Sequence, residues 1–225
     1  MVTLSIALLL AAVASFPALD AARDTQDRAA LQRLTSESAA VAAKQPEDPG
    51  AQYRHAVSAS YLAEVALEQR DKVAAKNAAE EGIGAAEKAV ALRPDVSEHH
   101  RILGTLCGQI IPANTWLAMK YGRCALDSIN KAIELDGKSA RAYLSRGVGN
   151  YYLPSAFGGG VEKAVQDFNK ALELNPKLAE AHLWMGLAWR KANRNSEARA
   201  EFQKSLELNP RRVWAKQQLE KTPAQ

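Results

Sequence analysis

The stretch AVQDFNKALELNP, residues 164–176, recurs as ARAEFQKSLELNP, residues 198–210, after one period of 34 residues. Ala164, Phe168, Leu174, Asn175 and Pro176 find their counterparts in Ala198, Phe202, Leu208, Asn209 and Pro210. Apolar and small residues spaced by three and four places give a helix one packing face, and a proline stops it. Self-similarity at such a period means stacked helix pairs, none of which can bury its apolar face alone. The predicted fold class is all-α: a solenoid of about four antiparallel helix pairs, with an N-terminal helix before it and a C-terminal capping helix after it.

The same pattern extends backwards along the chain. In the last unit His182, Met185, Gly186 and Trp189 line the first helix, and Ala198, Phe202 and Ser205 the second. Tyr143, Arg146, Gly147 and Asn150, then Ala164, Phe168 and Ala171, take these places one unit earlier. His100, Leu103, Gly104 and Cys107, followed by Ala125, Ile129 and Ala132, take them in the unit before that. The first unit is the most degenerate, with Tyr53, Ala56 and Val57 followed by Gly82, Ala86 and Ala89. Gly104, Gly147 and Gly186 let each first helix approach its partner at Ala125, Ala164 and Ala198. These marks divide a solenoid over residues 47–222 into units 51–94, 97–137, 140–176 and 179–210, with a cap at 211–221.

The period breaks twice. Gly186 to Ala198 is 12 residues, whereas Gly147 to Ala164 is 17 and Gly104 to Ala125 is 21. The segment containing Pro154, Phe157, Gly158, Gly159 and Gly160 is longer than a helix connection requires and reads as a lid or docking loop. Its glycines are no phosphate loop, because no Lys-Ser/Thr pair follows them. The insertion from Gln109 to Arg123, with Pro112, Trp116 and Tyr121, is expected to lengthen a second helix toward its N-terminus.

These residues resemble the tetratricopeptide repeat family over roughly residues 51–220. Two stretches are more particular: NYYLPSAFGGGVEKAVQDFNKALELNP, residues 150–176, and YGRCALDSINKAIELD, residues 121–136. They resemble the tetratricopeptide component of bacterial tripartite periplasmic transport systems and, more distantly, the regulator of microtubule dynamics proteins. The resemblance implies protein interaction or accessory ligand handling and names no partner. It also points to the inner face of the superhelix, made by the first helices of the pairs. There it places Arg101 and Thr105, then Leu144, Val148, Tyr151 and Tyr152, then Leu183, Leu187, Arg190 and Lys191. With Leu144, Ser145 and Val148 on one of those helices, a carboxylate clamp does not fit; an apolar and aromatic groove suits a peptide or an amphipathic helix.

Residues 1–21 read as a secretory signal, with the apolar run Leu4 to Val13 too short to span a bilayer and small residues at Ala12, Ala14 and Ala21 for cleavage. A retained N-terminal membrane anchor is the alternative. A periplasmic or secreted location follows from the first reading. Residues 22–46 read as one N-terminal helix, carried by Leu31, Leu34, Ser38 and Val41. Cys107 and Cys124, the only cysteines, fall on neighbouring helices and can pair in an oxidising compartment, or remain two buried thiols.

Composition excludes several functions. Hydrophobic residues make 47% and aromatics 6% of 225 residues, and the net charge of +4 is scattered, so no nucleic-acid stripe forms. His99 and His100 are adjacent and point about 100° apart on a helix, which prevents an ordinary two-ligand metal site. No Gly-x-Ser-x-Gly turn or activated thiol supports catalysis, and no cofactor is expected. Glu134, Glu173 and Glu207 recur at one repeat position, the mark of a solvated face. The expected function is a non-catalytic interaction scaffold that binds a peptide or helix of another protein. The alternative is a transport accessory that holds a small ligand or docks a solute-binding protein.

Overall fold

A computed structural model of the chain describes residues 16–224; the apolar run Leu4 to Val13 lies outside them. Among the described residues eleven helices follow one another, α1 (Pro17–Asp24), α2 (Arg28–Lys44), α3 (Pro49–Glu68), α4 (Lys72–Leu92), α5 (Ser97–Ile110), α6 (Thr115–Leu135), α7 (Ala140–Tyr152), α8 (Val161–Leu174), α9 (Ala179–Lys191), α10 (Asn195–Leu208) and α11 (Val213–Glu220). Two single turns of 3-10 helix, Ile111–Ala113 and Ser155–Phe157, interrupt the connections, and there is no strand among the described residues. No described helix is long and apolar enough to cross a membrane.

The small residues set the pair spacing as the sequence predicts. A methyl group added at Gly186 would stand 2.6 Å from the Phe202 ring and 3.0 Å from the Ala198 carbonyl oxygen. One added at Gly104 would stand 2.6 Å from Ile129 and 2.9 Å from the Ala125 carbonyl oxygen. Gly147 meets Phe168 and the Ala164 carbonyl in the same way. Phe168 and Phe202 are fully buried between successive helices. The stops repeat as faithfully: Arg93, Asp136, Asn175 and Asn209 end α4, α6, α8 and α10 with φ of −142°, −141°, −143° and −140°. On the outer face Lys131–Glu134, Lys170–Glu173 and Lys204–Glu207 form one exposed pair per unit at 2.8, 2.8 and 2.9 Å. The recurring glutamates are therefore surface residues of modest energetic weight.

The N-terminal region departs from the single helix expected over residues 22–46. The chain is helical from Pro17, inside the expected signal segment, and then breaks at Thr25-Gln26-Asp27. Gln26 takes a left-handed conformation (φ 54°), and the Asp27 carboxylate caps α2 by accepting from the Ala30 amide at 3.0 Å. The turn between α3 and α4 is built alike, with Arg70 at φ 63° and Asp71 capping Ala74 at 3.0 Å. Thus α1 and α2 form a fifth helix pair with a truncated first member. Neither Gln nor Arg announces a left-handed turn as Gly or Asn would, so the break left no mark in the sequence.

Both insertions are ordered. The α6 helix is 21 residues long against 14 for α8 and for α10, and the surplus lies at its N-terminus as expected. The segment after α7 closes on itself. Gly158 (φ 88°) and Gly160 (φ 109°) turn the chain, and the Gly160 amide donates to the Asn150 carbonyl at 2.9 Å.

Cys107 and Cys124 are joined by a disulfide, with Cα atoms 6.0 Å apart, pinning the elongated α6 to α5 across a sequence separation of 17. Closing a loop of that length contributes about 3 kcal/mol by restricting the unfolded chain. Reduction should therefore lower the melting temperature by roughly 6–12 °C, as read by scanning calorimetry with and without reductant. An unchanged melting temperature would show that the bridge carries no stability.

Candidate functional site

The inner curve of the solenoid is lined by the first helices α3, α5, α7 and α9 together with α11. It divides into a part that the chain covers with its own N-terminus and a part that stays open.

The covered part lies under α1. Leu19 and Ala22 are buried at 8% and 6% exposure, and the Phe16 ring stands 6.2 Å from Tyr53. The Tyr61 hydroxyl of α3 donates to Asp20 at 2.9 Å, and the Arg23 guanidinium lies 4.8 Å over the Tyr61 ring. From the far end of the chain, Asn209 donates to Asp24 at 2.8 Å. Gln217 donates to Gln26 at 3.1 Å, and Gln26 in turn donates to Glu68 at 2.7 Å. The first pair therefore touches the last.

Arg212, immediately before α11, stands at the centre of this contact with no solvent exposure. It donates to Glu180 of α9 at 2.8 Å, to Glu64 of α3 at 2.7 Å, to both carboxylate oxygens of Glu68, and to the Arg23 carbonyl at 3.4 Å. Arg23 adds a second cation, 3.8 Å from Glu180. Three carboxylates thus share two guanidinium groups away from water, and their affinities for protons diverge. Burial raises Glu64 to about 8 against the opposing pull of Arg212 and Arg23. Burial raises Glu68 as well, although Arg212 and Gln26 both hydrogen-bond it. Glu180 faces the same burial but is held below the ordinary glutamate value by Arg212 and Arg23.

The open part is a recess of about 250 Å³ between the C-terminal ends of α3 and α7 and the helices α9 and α11. Tyr151, Tyr152, Leu187 and Arg190 line it, facing Leu67, Glu68 and Arg70 of α3 and Trp214, Gln218 and Lys221 at the C-terminus. Trp184 is the hub behind it. Its ring lies edge-on to Tyr151 at 5.6 Å, Tyr152 at 5.9 Å and Trp214 at 5.4 Å. Tyr152 remains 59% exposed at the mouth.

Of the ten positions expected in the groove, these four line the recess and six do not. Leu183 is fully buried behind it, packed with Leu187, Phe202 and Ala215. Arg101 lies in the covered part, bound to Glu98 at 2.9 Å, and Glu98 also accepts from Tyr53 at 3.1 Å. Thr105 is hydrogen-bonded to Ser145 at 3.1 Å. Leu144 and Val148 pack against the core around Phe168. Lys191 folds over the Tyr151 ring, 4.5 Å from its centre. Arg190 does line the recess, yet it is spent on the cap, donating to Gln218 at 2.7 Å. In the inserted loop, Pro154 and Phe157 are exposed and Gly159 is buried against Leu153, so the loop contributes nothing to the recess beyond its start at Tyr152. Trp184, Trp214 and the Arg212 cluster escaped sequence reading. Trp184 carries a visible signal, an aromatic one place from Leu183 on the same inner face.

All four histidines serve helix contacts. His55 meets Ser38 at 3.3 Å, His99 the Ala89 carbonyl at 2.9 Å, His100 the Pro94 carbonyl at 2.8 Å, and His182 the Glu201 carboxylate at 2.6 Å. Among the described residues no group of acids, histidines or cysteines converges as metal ligands would.

The raised and lowered carboxyls fix how closure depends on pH. For Glu64 the folded state binds the proton more tightly than the unfolded chain, so its contribution is complete below about pH 4.5 and is lost as pH rises through about 8; Glu68 acts in the same sense. Glu180 acts in the opposite sense, losing its contribution as pH falls through its lowered value. The melting temperature should fall between about pH 4.5 and pH 8, and Glu64→Gln should flatten that decline. Superimposable pH profiles for the two proteins would contradict this assignment.

Similar proteins agree with the architecture. The family described as TPR repeat matches residues 158–191, and the family described as tetratricopeptide repeat matches residues 179–212. No curated protein matches the chain in sequence. The crystal structure of TTC0263, a thermophilic tetratricopeptide protein of Thermus thermophilus, superimposes with a TM-score of 0.61 at 21% identity, covering 89% of this chain and 98% of that one. PilF of Pseudomonas aeruginosa gives 0.47 at 19% identity over 74% of this chain and 68% of that one. MamA of Desulfovibrio magneticus gives 0.46 at 19% over 89% and 99%. At 21% identity the likeness to TTC0263 is one of fold. Residues 158–212 thus match tetratricopeptide repeats, and the described chain has the fold of a tetratricopeptide-type α-solenoid.

Proposed function

We propose that the chain is a non-catalytic interaction module that anchors a segment of a partner protein in the aromatic recess of its inner face. The observation that carries this reading is the cluster of Tyr152, Trp184 and Trp214, with Tyr152 left 59% exposed beside an open hollow. Aromatic side chains with a neighbouring arginine are the groups that dominate binding energy at protein interfaces, because they bury large rigid surfaces at little entropic cost. Arg70 and Lys221 give the recess a basic rim, which suits an acidic residue beside the anchoring side chain of a peptide. At about 250 Å³ the hollow is smaller than the roughly 300–1,000 Å³ of sites that enclose a small molecule. It suits one or two anchoring side chains, and this size favours protein docking over a transport accessory that sequesters a solute.

Leu187→Asp is an unsuitable probe, since Leu187 is only 4% exposed and a buried carboxylate there would disrupt the core. Tyr152→Ala combined with Arg70→Glu alters the mouth alone. Cross-linking in extracts of the parent cell, with mass spectrometry of captured proteins, should show at least a tenfold loss for this variant, while Phe157→Ser retains wild-type capture. The same proteins captured at the same yield by the double variant would refute recess docking.

A further inference from the structure

The covered half of the inner face holds a short helix whose place depends on contacts made by its side chains. The α1 helix has 8 residues and buries Leu19, Ala22 and Asp24, whereas α3 has 20 residues and buries twelve of them. A helix of two turns has little stability of its own in water, so α1 persists only through the contacts it makes on docking. Those contacts resemble ligand recognition more than core packing. An aromatic and a leucine, Phe16 and Leu19, meet Tyr53 and its neighbours in the core cluster. One carboxylate, Asp20, is received by the Tyr61 hydroxyl, and one guanidinium, Arg23, lies between the Tyr61 ring and Glu180. Phe16, Leu19, Asp20 and Arg23 recur at the spacing by which one face of a helix is read in a groove.

We propose that α1 is an internal occupant of a helix-binding groove, and that a partner helix of the same chemistry displaces it. The partner carries an apolar anchor, a carboxylate one place after its second anchor and an arginine three places further on. The groove selects the arginine through Glu180 and Glu64 and the carboxylate through Tyr61. This inference rests on the reading of the chain as a protein-docking module and extends it from the open recess to the ground beneath α1. The three-residue turn at Thr25-Gln26-Asp27 holds α1 at an effective concentration on the order of millimolar, which an incoming helix must overcome.

The test uses the full chain and a fluorescent peptide of residues 16–27, with binding read by anisotropy. Wild-type protein should bind it weakly, because α1 occupies the site. Leu19→Asp, which expels α1 from the apolar floor, should bind it at least tenfold more tightly with an unchanged helical circular dichroism spectrum. Adding Tyr61→Phe in that background should cost several-fold in affinity by removing the donor to the peptide's Asp20 equivalent. If Leu19→Asp fails to fold, Arg23→Ala serves instead, loosening α1 through its charge alone. Absence of peptide binding by every folded loosened variant overturns the proposal, as does binding indifferent to Tyr61→Phe. Wild-type chain that sediments as a dimer, with Leu19→Asp monomeric, would make a second copy's α1 the occupant and overturn displacement by a foreign partner. Because none of the substituted residues lines the recess and no native partner is used, its result stands apart from that of the recess variant.

Discussion

Arg212 is a guanidinium without solvent, and the rest of the arrangement follows from what it must find there. A buried cation is tolerated only when opposite charges and acceptors surround it. Glu180, held ionised, supplies charge, while Glu64, Glu68 and the Arg23 carbonyl supply acceptor oxygens. Removing one member of such a cluster costs roughly 3–5 kcal/mol, because the others are left buried and unpaired. A solenoid ordinarily holds together only through adjacent units. Here a contact between residues 148 positions apart ties α3 to the cap, and α1 is caught between them. Arg212 thus stands at the centre of the contact that closes the inner face, beside the apolar burial of Leu19 and Ala22.

Much of the architecture was legible because its cause is steric and periodic. Gly186 must be glycine if Phe202 and the Ala198 carbonyl are to come as close as they do, and that demand repeats at Gly147 and Gly104. Other elements have causes that do not repeat. The break at Gln26 depends on a left-handed residue of a type that seldom adopts this conformation, so α1 and α2 read as one helix. Arg212 reads as an ordinary cation at the start of a capping helix, since its carboxylates lie 32, 144 and 148 residues away. The spacing of the expected inner-face positions says nothing of what packs over them. Nothing in the spacing of Arg101 or Leu183 says that the chain itself stands over the one and packs around the other.

The two segments that break the period add little to the recess. The first makes α6 taller, is bridged through Cys124 to α5, and leaves Trp116 and Met119 exposed at 73% and 77% on the outside. The second folds back through its glycines and adds only Tyr151 and Tyr152, at its start, to the recess. The N-terminal residues matter more. A cut after Ala14 would leave α1 whole, whereas a cut after Ala21 would remove Phe16, Leu19 and Asp20 and vacate the ground over Tyr53 and Tyr61.

The central claim is that the inner face is closed by the chain's own first helix, held from the opposite end by Arg212. Hydrogen exchange of the backbone amides of residues 21–24, followed in the native full-length protein and in Arg212→Met, tests it most directly. Closure predicts slow exchange in the native protein and fast exchange in the variant, with α7 to α10 protected equally in both. Amides of α1 that exchange as fast as those of an unstructured peptide in the native protein would contradict it.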